Sequence, residues 1–100
     1  MLANVRQLYG GTNVSTFDHK IALQIQVADR EGTIQEGLSA ELQLRERAVI
    51  QHLRLAAETP PDRLPALWAF WNGTNFGHAE LNHAAAEATA VLEDVLDEMT

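Results

Sequence analysis

The chain contains no cysteine. Disulfides, thiolate zinc sites and cysteine nucleophiles are therefore excluded, and a reducing compartment suits the composition. Uninterrupted apolar runs are only a few residues long, far short of the ~20 needed to span a bilayer. The opening MLANVRQLYGG lacks the apolar core of a signal peptide, so a cytoplasmic protein is expected. Two sequons, Asn13-Val-Ser15 and Asn72-Gly-Thr74, then read as chance matches. Prolines number only three, and two of them are adjacent, at Pro60 and Pro61. Aromatics make up 6% of the chain, so where they cluster carries weight. Basic residues are missing altogether after Arg63.

At 100 residues the chain is one domain, large enough for a single modest core. Hydrophobic residues at 46% and charged residues at 21% indicate a globular fold rather than disorder. The net charge is −7, from 14 acids against 7 bases, and it is unevenly spread. The first 63 residues are nearly neutral. The remainder holds Glu80, Glu87, Glu93, Asp94, Asp97 and Glu98 with nothing to balance them locally. Such a surface repels phosphates and anionic lipid headgroups, which excludes direct nucleic-acid or membrane binding there. It favours a protein partner with a basic surface.

Residues 1–9 are weakly patterned, and Gly10-Gly11 ends them. Residues 12–18 read as a connector. From 19 to 29 the chain alternates, with Ile21, Leu23, Ile25 and Val27 on one side, which predicts a half-buried strand. Ala28 to Gly32 supply turn chemistry. A second alternation through Ile34, Leu38, Ala40, Leu42 and Leu44 predicts the returning strand, with Gly37 as a candidate bulge. Residues 45–58 favour a helix from about Glu46. A third strand there, or one helix from Ser39 to Glu58 that would abolish the second strand, are the alternatives.

The two adjacent prolines stop this segment. A short helix is expected after Asp62 as its N-cap, with Leu64, Leu67, Trp68 and Trp71 on one face and Gly73 as its left-handed stop. Thr74 or Asn75 should cap a last helix over about 76–99, whose apolar stripe runs through Leu81, Ala84, Ala85, Ala88, Leu92, Val95 and Met99. The expected fold is α+β: a β-hairpin or small antiparallel sheet with two or three helices packed on one face.

No arrangement here calls for catalysis, a cofactor or a metal. Glu80 and His83 have the Glu-x-x-His spacing of di-metal bundles, but such sites need two copies of it on four long helices. The four histidines pair with no serine and aspartate in a triad context, and Gly73 to Gly77 lacks the lysine of a phosphate loop. A non-enzymatic protein-binding module is the leading expectation. Its proposed contact residues are Phe70, Trp71 and Phe76, since the aromatics cannot all share one inward face, and Glu80, Glu87, Asp94 and Glu98 along the acidic helix.

Within residues 64–80, a leucine-headed aromatic helix, the Gly-Thr-Asn-Phe-Gly turn and His78-Ala-Glu80 resemble the ending of a small phage-encoded anti-CRISPR inhibitor of type I-F systems. The likeness covers less than a fifth of the chain and rests mainly on Gly73, Gly77 and Glu80. It implies a sheet before two helices and a non-enzymatic blocker docking on a basic, nucleic-acid-handling protein. The alternative class is a self-assembling structural or virion component, a homo-oligomer burying an alanine-rich helix and an uncovered sheet edge.

Overall fold

A computed structural model of the chain describes residues 17–99. The first element is launched at Asp18, whose carboxylate accepts the backbone N–H groups of Lys20 (2.9 Å) and Ile21 (3.4 Å). A helix start orphans such donors, and Asp18 satisfies two of them. This cap opens helix α1, His19–Gln35, so the strand expected over 19–29 is absent. The alternation that suggested it has a helical solution. At about 100° per residue, Leu23 and Val27 fall together, while Ile21 and Ile25 fall on the opposite side. Leu23 and Val27 are buried at 0% and 8% exposure; Ile21 and Ile25 stand out at 54% and 57%.

The turn expected at Ala28 to Gly32 lies inside α1. The actual turn comes at Gly37, which takes φ +91° and donates its N–H to the Ile34 carbonyl (3.1 Å). Gly37 is thus a left-handed helix stop, not a β-bulge. Ser39 then caps the next helix, its hydroxyl accepting the N–H of Leu42 (3.4 Å). Helix α2, Ala40–Glu58, takes up most of the segment expected as the second strand. The single helix starting after Ser39 is the alternative that forms, and the helix expected from about Glu46 begins more than a turn earlier. A helical hairpin stands where a β-hairpin was expected.

Thr59 and the two prolines end α2, and a short 3-10 turn, Pro61–Arg63, leads into helix α3, Leu64–Gly73. Asp62 lies within that turn and Arg63 holds the cap position, so Asp62 is not the N-cap. Gly73 is the last residue of α3 and has no positive φ; Gly77, at φ +80°, is the left-handed residue of this loop. Helix α4 is Ala79–Glu98, capped by His78, whose Nδ1 accepts the N–H of Glu80 (3.1 Å). The cap is therefore neither Thr74 nor Asn75. Asn75 instead accepts from the Gly77 N–H (2.8 Å) and the Asn82 amide (3.2 Å), and Asn82 accepts from the Phe76 N–H (2.8 Å). These bonds pin the loop to the first turns of α4.

Among the described residues 83% are helical, in four α-helices and one short 3-10 turn with no strand, so the α+β expectation, its β-hairpin and the sheet implied by the anti-CRISPR resemblance are overturned. The physical cause is consistency of local signals. Both segments expected as strands carry side-chain N-caps, and the only left-handed glycine between them stops a helix. Helix α2 is central: α1 and α4 pack on either side of it, and α3 packs on α4. Leu23, Val49, Leu53, Leu64 and Leu92 are fully enclosed. Ala48, Ala56 and Ala57 of α2 and Ala84 and Ala88 of α4 join the same core, where small side chains let two helices approach closely. Buried Thr89 satisfies its hydroxyl on the Ala85 carbonyl (2.6 Å).

Candidate functional site

The expected contact residues divide between the two ends of α4. At its start, Trp71 points inward and is 4% exposed. Its ring lies 5.0 Å from that of His52 on α2, which lies 5.7 Å from Phe76. The His52 Nδ1–H donates to the Ala48 carbonyl (2.8 Å), which fixes the imidazole in place. Phe76 is half-buried, and Phe70 meets it edge-on at 6.2 Å. Trp71 is therefore part of the core. Phe70, at 58% exposure, is the aromatic that offers surface.

The acids of α4 also divide. The Arg45 Nε donates to Glu80 at 2.8 Å, joining α2 to α4. That hydrogen bond is the main cause holding the Glu80 carboxyl below its ordinary value; burial opposes it, and the charges of Arg45, His83 and His78 add to it. The same bond raises Arg45 above its usual value. One arm of the Arg30 guanidinium reaches both oxygens of Glu46 (2.9 and 3.1 Å) and lies 3.8 Å from Glu87, so α1, α2 and α4 meet at one cation. Glu80 and Glu87 thus have arginine partners from the first half of the chain. Asp94 and Glu98 are exposed and join no ion pair among the described residues, as does Glu93 beside them. Asp94 and Glu98 edge a cleft of about 130 Å³ between α1 and α4, floored by Val91, Val95 and Ala22.

The 20 residues of α4 span ~30 Å, so Phe70 and Phe76 share no patch with Asp94 and Glu98. Of the Glu80–His83 pair, 4.0 Å apart, Glu80 is bonded to Arg45 while His83 stays exposed. No group of three or more potential metal ligands occurs among the described residues. Nor is any of their helices long and apolar enough to cross a membrane.

A second surface escaped the sequence pattern. Along the seam of α1 and α2 run two clefts, of about 510 and 390 Å³, that share Arg54. Ile34 and Ile50 line the first, together with Gln35, Gln51 and Arg47. Arg54 bonds Glu31 across the seam, and Lys20 pairs with Glu58 (3.3 Å) beyond it. Arg47 is exposed and joins no ion pair among the described residues. A helical reading of residues 19–35 would have placed Ile34 beside this seam, but the alternating pattern hid it. No family model, curated protein or solved structure matches the chain.

Proposed function

We propose that this protein is a non-catalytic protein-binding module whose contact surface is the C-terminal half of α4, presenting Glu93, Asp94 and Glu98 to basic side chains of a partner. The observation that carries this is the position of these carboxylates. They are exposed, outside every ion pair of the described residues, and gathered at the negative end of a helix dipole with no basic residue in the last turn. Glu98 lies in the last turn, where an acid is unfavourable by ~0.3–1 kcal/mol at low salt, and a cationic partner relieves that cost. This reading leaves out Glu80 and Glu87, which have an arginine beside them, and Trp71, which is buried.

A fluorescence titration with a lysine-rich helical peptide tests this. Asp94→Lys with Glu98→Lys should weaken binding well beyond Asp29→Lys with Glu36→Lys, which makes the same change in net charge elsewhere. Equal weakening by the two double variants would mean that only total charge matters, and the assigned surface would be wrong.

The self-assembly reading loses its original supports, since Ala84, Ala85 and Ala88 are buried inside the fold and the described residues offer no sheet edge. One other observation favours it. The outer face of α1 leaves Ile21 and Ile25 exposed beside Ala28 and Gly32, an apolar strip that the other described residues do not cover.

A further inference from the structure

We infer that the groove between α1 and α2 receives the acidic end of α4 from a second copy of this chain, so that copies join head to tail. The inference rests on the reading of that end as a contact surface and names its partner. Charge complementarity is the argument. In a chain of net charge −7, Arg47 is an exposed guanidinium that no described carboxylate neutralises, and it stands at the rim of the larger cleft. The other charges facing the groove are internally balanced: Arg54 by Glu31, and Lys20 by Glu58. The groove therefore holds one unmatched positive charge, while the end of α4 holds unmatched negative ones.

The rest of the lining suits the same occupant. Ile34 and Ile50 give an apolar floor, and the amides of Gln35 and Gln51 can bond carboxylate or backbone. The arriving helix end brings Glu98 and Asp94, one turn apart, and Met99, which is 37% exposed. Glu98 meets Arg47 in a charge-assisted bond, and Met99 covers the isoleucine floor. Groove and helix end are different surfaces, lying on opposite sides of α1, so the contact is heterologous and generates a ring or an open filament rather than a closed pair.

Sedimentation equilibrium of the full chain at about 0.15 M salt tests this. The Debye length there is about 8 Å, which screens the mutual repulsion of two acidic molecules more than it screens contact pairs. The average mass should rise above the monomer as concentration increases from about micromolar to about millimolar. Arg47→Glu alone should stay monomeric, and so should Glu98→Lys alone. Mixed together they should assemble, because each exchanged charge then meets its opposite. Circular dichroism of each variant checks that these exposed substitutions leave the helices intact. A wild-type chain that stays monomeric throughout, a single variant that assembles like wild type, or a mixture that stays monomeric would each overturn the inference. If the chain is monomeric while the lysine-rich peptide still discriminates the Asp94/Glu98 variant, only the second-copy partner fails. If the peptide does not discriminate, the functional reading itself fails.

Discussion

Glu80 shows how one side chain moved from candidate site to structural role. Sequence placed it on a bare acidic face; the fold gives it the Arg45 guanidinium at 2.8 Å. Because that bond lowers the carboxyl's affinity for a proton in the folded state, the unfolded chain binds more protons as the solution is acidified. The pair's stabilisation is therefore complete above the ordinary carboxylate range and is lost as pH falls through the depressed value. Glu80→Gln should flatten this part of the pH dependence. Urea midpoints measured between about pH 7 and about pH 3 check it, and an unchanged slope would show that the pair contributes nothing. The isoleucines of α1 teach a second lesson at this scale. Ile21 and Ile25 differ from Leu23 and Val27 only in which side of a helix they occupy, yet the first pair is exposed and the second is core.

Among elements, the glycines separate a real backbone requirement from an apparent one. Gly77 takes φ +80° between α3 and α4, where a Cβ is strained even though the space around it is open. Gly73 ends α3 in ordinary helical geometry, also with open space. Gly77→Ala should therefore destabilise by about 1 kcal/mol, whereas Gly73→Ala should be neutral or stabilise by up to ~1 kcal/mol. Chemical denaturation of the two variants reads the difference; a larger loss at Gly73 would mean the stop had been assigned to the wrong residue. The ends of α2 were partly legible in advance. The two prolines fix where it finishes, because they deny it a donor and a turn. Its start was obscured because Leu38, Ala40, Leu42 and Leu44 satisfy a period of two by chance of composition, while the Ser39 cap is a single residue.

At the scale of the whole molecule the described residues form a shallow body, with Cα extents of 50 × 32 × 17 Å and a radius of gyration of 16.2 Å. A compact chain of similar size would have a radius of about 12–13 Å. A thin helical body leaves much apolar surface uncovered, which is why Phe70, Leu55 and the outer α1 face remain exposed. The Arg30 cluster ties three helices across this body, with the Arg30 side chain only 22% exposed. Lys20–Glu58 joins two helices at the surface, at 47% and 68% exposure. Arg30→Ala should therefore cost clearly more than Lys20→Ala, which is worth at most ~1 kcal/mol. Thermal melts of both variants test the order, and equal losses would demote the cluster to an ordinary surface pair.

Composition and residue order alone settled that the chain is cysteine-free and acidic and that its last third bears the excess charge, because those properties depend only on which residues are present and in what order. The prolines, the apolar row of α4 and the inward Leu64–Trp71 face were legible for the same reason: each is a local rule of backbone or helical spacing. Only the tertiary structure decided between strand and helix for residues 19–44, since a short alternating run is compatible with both until something packs against it. It alone decided, too, which carboxylates stay free. Arg30 and Arg45 lie far from Glu87 and Glu80 along the chain, and no spacing rule brings them together; the packing of α1 and α4 on α2 does.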